Sequence, residues 1–140
     1  MDNIRLTYEV EGGDLTQAGE ASAQVKQTLR KLGFDPDTIR RVSVCMYEGE
    51  INMVIHADGG TATVDIGLSD ITITLADQGP GIPDIDQAMQ AGYTTAGEVA
   101  RDLGFGAGMG LPNMKKYSDE FDIQSAVGVG TTVKMAVRID

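Results

Sequence analysis

Glu48, Asn52 and His56 stand at four-residue intervals within an otherwise apolar stretch. Farther along come Asp77-Gln78-Gly79-Pro80-Gly81-Ile82, then Gly104-Phe105-Gly106-Ala107-Gly108-Met109-Gly110-Leu111, and last Gly128-Val129-Gly130-Thr131-Thr132. Each alone suits a helix decoration or a turn. Together, in this order, they suit a nucleotide site. A carboxylate and an amide serve the metal–phosphate end. A second carboxylate reads the base, and glycines let phosphates approach the backbone.

At about 100° per residue, a helix places Glu48, Asn52 and His56 within roughly 80° of one another. Val42, Val44, Cys45, Met46, Ile51, Met53 and Val54 make the rest of that helix apolar, so it is expected to be largely buried. An ionised Glu in such a setting is costly unless paired or solvated. Two readings stay open. Either Glu48 pairs with a base such as Arg5 while Asn52 caps a backbone group, or both face a ligand. Glu50 points away from them, toward solvent or an edge. His56 reads as a helix-end hydrogen bonder, since one His with Asp58 makes a poor transition-metal site.

Asp77 ends an apolar strand, as an ordinary turn residue or as an acceptor for an adenine amine. Gly79 and Gly81 open space beside it, and Pro80 stiffens the turn. Glycine at every second position from Gly104 to Gly110 suits neither helix nor ordinary strand. It makes a hinge, an anion cradle or a disordered loop. A helix beginning near Leu111 would aim its positive end at the same place. No Gly-x-Gly-x-x-Gly follows a strand and no Gly-Lys-Ser/Thr occurs, so a dinucleotide fold and a P-loop are unsupported.

The elements that must position these residues follow from periodicity. Ile4 to Val10 alternates as a strand. Asp14 to Leu32 forms an amphipathic helix stopped at Gly33. Asp35 caps a second helix, with Pro36 in its first turn, running to about Ala57. Val64, Ile66 and Leu68 share one strand face, as do Ile71, Ile73 and Leu75, with Ser69-Asp70 as a hairpin turn. Val133, Met135, Val137 and Ile139 make another face, and Glu120 to Ser125 is a further strand. The pattern breaks between Gln78 and Gly110, where only a short helix around Ile85–Gln90 is expected before one from Leu111 to Tyr117. Gly92 to Gly110 is expected to act as a lid, with Tyr93 and Leu103 packing in its closed form. The fold class is α+β, an α/β two-layer sandwich with helices on one face of a mixed, mostly antiparallel sheet.

The 140 residues suffice for one domain with a real core. The formal charge of −10 repels nucleic acid and anionic membranes. A bound polyphosphate must then rely on backbone N–H groups, a cation and a few basic residues. No apolar run approaches the roughly 20 residues of a membrane span. The N-terminal residues do not resemble a signal peptide, and the single Cys45 reads as core filler, so the expected compartment is cytoplasmic.

These motifs carry a resemblance. E-x-x-x-N, D-x-G-x-G, G-x-G-x-G and a late G-T, in order, resemble the Bergerat-fold (GHKL) ATPases, which include histidine kinases, gyrase B and MutL. The resemblance covers nearly all of residues 1–140 as one domain. "DQGPGIPDIDQAMQAGYTT" and "GMGLPNMKKYSDEFDIQSAVGVGTTV" look like the serine/threonine kinase branch of anti-sigma-factor and switch kinases (RsbW/SpoIIAB-like and RsbT-like). The resemblance implies ATP and Mg²⁺ as cofactors. It makes Glu48 the general base and Asn52 the Mg²⁺ ligand. Asp77 reads adenine, with Gly79, Gly81 and Ile82 beside the base. Gly104, Gly106, Gly108, Gly110 and Leu111 form the phosphate side of a Gly-rich ATP lid. Thr131 supports Asp77. The segment from Gly97 to Leu103 is longer than in the RsbT-like pattern, and it contains Arg101, a candidate phosphate contact that nothing in the motif requires.

The implied function is ATP-dependent phosphorylation of a Ser or Thr on a small STAS-domain, anti-anti-sigma-like partner. The alternative is a partner-switching module that holds a sigma factor or such a partner according to its nucleotide state, with little transfer. A bare ATPase or metabolite-binding domain is a third reading. Look-alikes also dimerise through the sheet or the first helix.

Overall fold

The computed structural model describes residues 4–11, 19–56, 59–79, 89 and 110–139. The described elements are strand β1 (Ile4–Glu11), helices α1 (Glu20–Lys31) and α2 (Pro36–His56), strands β2 (Gly59–Ile66) and β3 (Asp70–Asp77), helix α3 (Gly110–Tyr117), and strands β4 (Glu120–Ala126) and β5 (Gly130–Arg138). The expected helix at Ile85–Gln90 apart from Met89, the segment from Gly97 to Leu103 and all but the last residue of the expected lid lie outside the described residues.

The strands form one sheet in the order β1-β2-β3-β5-β4. All four described pairings are antiparallel, so the expected mixed component is absent among the described residues. Alternation sets the two faces. Ala62, Val64, Ile71, Ile73, Leu75, Met135 and Val137 are buried under the helices. The opposite face is polar and open. There Arg5 lies across from Asp65 on the neighbouring strand and pairs with it at 2.7 Å.

One side chain departs from the expected alternation. Leu68 is 74% exposed, because β2 ends at Ile66 and the chain turns at 67–69. The Gly67 N–H closes that turn on the Asp70 carbonyl at 2.9 Å. Asp70 is already the first residue of β3.

Helix α2 crosses the sheet and is packed by α1 on one flank and α3 on the other. Val42, Cys45 and Met46 are fully buried beneath it. At Gly49 a β-carbon would overlap the Leu75 side chain of β3. Glycine there lets α2 ride close over the end of β3. Asp35 caps α2 as its sequence predicts, accepting from the Thr38 N–H at 3.2 Å.

Candidate functional site

The close approach at Gly49 brings that turn of α2, with Glu48 beside it, onto Leu75, two residues before Asp77 in β3. Glu48 is half-buried. One oxygen, Oε1, accepts from the Asn113 amide of α3 at 3.3 Å, and Arg5 is engaged elsewhere with Asp65. Of the two open readings, the pairing of Glu48 with Arg5 therefore does not form. Asn113 sits three residues into α3, directly after the glycine run, so the first turn of that helix lies against Glu48. Its role was missed in the sequence. The only signal was a polar residue just inside a helix start.

Asn52 stands one turn beyond Glu48 and is half-buried. Its side chain makes no hydrogen bond to another described residue. Met53, its neighbour, is 3% exposed, and its sulfur would lie 3.0 Å from a β-carbon at Gly60, beside the Cα of Asp77. The same end of α2 therefore reaches the Asp77 end of β3. Backbone alone is described for His56, which closes α2.

At Asp77 the geometry is more defined. Oδ1 accepts from two backbone N–H groups, Gly79 at 2.9 Å and Thr131 at 3.2 Å. Two donors on one oxygen fix the carboxylate's orientation and leave Oδ2 without a partner among the described residues. Thr131 thus supports Asp77, but through its backbone. Its hydroxyl lies 2.8 Å from that of Ser125. Gly130 carries φ 144, and a β-carbon there would overlap the Asp77 carbonyl oxygen. Any larger residue at 130 would push β5 away from the carboxylate it helps to hold.

Gly79 is buried and Leu111 is 8% exposed in the core. Gly110 opens α3. Gly81, Ile82, Gly104, Gly106, Gly108 and Arg101 lie outside the described residues.

Glu50 was expected to face solvent or an edge, and the structure overturns this. It is 2% exposed, and its carboxylate accepts from the Ala21 and Ser22 N–H groups at 3.1 and 3.0 Å. Helix α1 begins after Gly19, which has φ 95 and no capping side chain. The first-turn N–H groups need an acceptor, and Glu50 supplies it from across the interface with its charge at the positive helix end. Tyr47 stands nearby, its phenol pushed up by burial and then by Glu48 and Glu50.

Cys45 is fully buried, and burial pushes its thiol up to about 12. It is an inert core thiol, as expected. No group of three or more His, Cys, Asp or Glu side chains gathers to hold a metal among the described residues. Of the two amide side chains at the site, Asn113 has its NH₂ turned to Glu48, and Asn52, with no hydrogen bond to another described residue, offers its oxygen. That donor fits Mg²⁺ sharing its shell with phosphate oxygens and water, and it does not fit a transition metal or a protein-only cage. No described helix is long and apolar enough to cross a membrane.

The profile of the histidine kinase-like ATPase domain matches residues 13–137. The serine/threonine-protein kinase RsbT of Bacillus subtilis is 33% identical over 113 residues, covering 78% of this chain and 79% of its own length. An anti-sigma F factor of Caldanaerobacter subterraneus is 36% identical over 113 residues, or 76% of each chain. Among solved structures, the RsbU and RsbW domains of a Mycobacterium tuberculosis protein align with a TM-score of 0.62 at 18% identity. That likeness covers 97% of this chain and 32% of the longer one, and it speaks to the fold alone.

Proposed function

The chain belongs to the histidine kinase-like ATPase domain family, and from that premise we propose that it is an ATP- and Mg²⁺-dependent serine/threonine protein kinase acting on a small STAS-domain, anti-anti-sigma-like protein. One observation carries the chemistry. Glu48 is a half-buried carboxylate held by a single hydrogen bond from the helix that follows the glycine run. It is oriented, yet it keeps lone pairs for an incoming proton.

In this reading the Glu48 carboxylate takes the proton of the acceptor hydroxyl as its oxygen attacks the γ-phosphorus. The bond from the γ-phosphorus to the bridging oxygen breaks, and ADP leaves. Asn113 keeps Glu48 in one rotamer. Asp77 Oδ2 accepts from the exocyclic amine of adenine while the Gly79 and Thr131 N–H groups hold Oδ1. The positive end of α3 lies beside Glu48 and favours phosphate there. Asn52 would hold Mg²⁺, which when bound neutralises charge on the transferring phosphoryl group. Gly81, Ile82, Gly104, Gly106, Gly108 and Gly110 would line the base and phosphate sides. Positioning and charge neutralisation are most of what phosphoryl transfer requires. The acidic surface and the buried thiol suit a cytoplasmic protein, and a homodimer through the open sheet face would leave the helices free.

Incubation with [γ-³²P]ATP, Mg²⁺ and a STAS-domain protein encoded by a neighbouring gene tests the reading. Acid-stable label on a Ser or Thr of that protein is expected. Tight Mg·ATP binding without label would instead favour the second reading, a nucleotide-dependent module holding a sigma factor or its antagonist. The relatives named anti-sigma F factor favour that second reading.

A further inference from the structure

A groove of about 790 Å³ runs between α1 and α2. The two helices are antiparallel. Glu50 joins them at one end, and the turn at 32–35 joins them at the other. Glu48 lines the groove at the first end and Phe34 at the second. Along α2 the distance from Pro36 to Glu48 is about 18 Å at the usual helical rise.

The charge of this groove opposes that of the molecule. The chain has 21 Asp and Glu against 11 Lys and Arg. Yet Lys26, Arg30 and Arg40 all line the groove, and among the described residues Glu48 is its sole carboxylate. Among the described residues Lys26 and Arg30 make no ion pair. Arg40 pairs with Asp37 at 3.1 Å, with both side chains 61% exposed, and its guanidinium lies 5.5 Å from the centre of the Tyr117 ring of α3. Exposed pairs of that kind hold little energy and exchange readily. Between the cations lie apolar surfaces, Phe34 and the exposed ring of Tyr47 among them.

We infer that this groove docks an acidic segment with an apolar anchor, carried by the phosphate-accepting protein next to its acceptor hydroxyl. The inference rests on the kinase reading only in placing the acceptor at Glu48. A segment laid along the groove from Phe34 would end at that carboxylate. Its acidic side chains would meet Lys26, Arg30 and Arg40, and its anchor would cover the apolar wall. Cations at this position give selectivity among acceptors and speed encounter with acidic ones.

The test uses fluorescein-labelled peptides that share a central serine and a leucine anchor, flanked by glutamates, glutamines or lysines. Anisotropy is read against the wild-type chain and against the triple variant Lys26→Glu, Arg30→Glu, Arg40→Glu. The glutamate peptide should bind and the lysine peptide should not, with affinity falling as salt rises. The triple variant should bind the glutamate peptide about tenfold more weakly or worse. Its melting shift with Mg·ATP should be unchanged, which also shows that it folds. Lys26→Gln with Arg40→Gln should give an intermediate loss. Equal binding of the acidic and basic peptides, or an unaffected triple variant, would overturn the inference. So would a change in molar mass of the triple variant by light scattering, since the groove would then seat a second copy. Loss of ATP binding or of transfer, with peptide selectivity intact, would count against the kinase reading alone.

Discussion

Glu48 and Glu50 stand two residues apart on α2 and meet opposite fates. Glu50 is sealed at the α1–α2 junction, with both oxygens taken by backbone N–H groups of another helix. Glu48 is half-buried, with one oxygen on one amide. The difference lies in what each carboxylate faces. Glu50 meets the uncapped positive end of a helix, and the carboxylate completes the fold. Glu48 meets the first turn of α3 and the mouth of a groove, and it remains available. A buried carboxylate with its valences filled is a structural part. A partly filled one at the junction of several elements is a candidate for chemistry.

The largest effect expected from this contrast is on stability. Glu50→Ala strands two buried N–H groups and removes a charge from a helix end. It should cost about 3 kcal/mol in urea unfolding without nucleotide. A loss below about 1 kcal/mol would mean that the junction does not depend on Glu50.

Gly49→Ala is expected next. Its β-carbon overlaps Leu75, and overpacking of this kind costs about 2 kcal/mol. Because Gly49 brings the turn of α2 beside Glu48 onto β3, phosphoryl transfer should fall with it. Unchanged transfer would separate the two.

Asp77→Asn sharpens the same comparison on the base side. The asparagine oxygen can replace Oδ1 on its two N–H donors, which puts an NH₂ where Oδ2 stood. A donor then faces the adenine amine. ATP affinity by calorimetry should drop about tenfold, equivalent to about 1.4 kcal/mol, with the fold kept. Undiminished affinity would remove Asp77 from the base site.

The smallest effect concerns pH. The Arg138 N–H and then the Arg41 guanidinium hold the Asp119 carboxyl below its usual range. A depressed carboxylate contributes stability that is complete above its unfolded pKa of about 3.9. That contribution is lost as pH falls through the lower folded value. Asp119→Asn should therefore lower stability modestly at neutral pH and converge on wild type in acid, which flattens the acid limb of the stability curve. A loss equal at pH 7 and in acid would contradict the linkage.

Much of this was legible because strand alternation and helical spacing are local. The two central hairpin strands, the Asp35 cap and the placement of Glu48 and Asp77 all follow from patterns a few residues long. What escaped the sequence lies at long separation. Glu50 caps residues 28 and 29 positions away, so no local pattern records it. Asn113 meets Glu48 across 65 positions. The role of Gly49 appears only when Leu75 is beneath it. Leu68 continued an alternation that the turn had already ended. At Thr131 the supporting atom proved to be the backbone N–H, which every residue except proline carries and which no residue type reveals.

The most direct test of the division between the two carboxylates is Glu48→Gln, measured by single-turnover transfer from Mg·[γ-³²P]ATP alongside unfolding in urea. Glutamine keeps the size and can still accept from Asn113, but it cannot take a proton. Transfer should fall about a hundredfold or more. Stability and Mg·ATP affinity should stay within about 0.5 kcal/mol of wild type. Normal transfer, or a stability loss on the scale of Glu50→Ala, would show that Glu48 is a structural carboxylate like its neighbour.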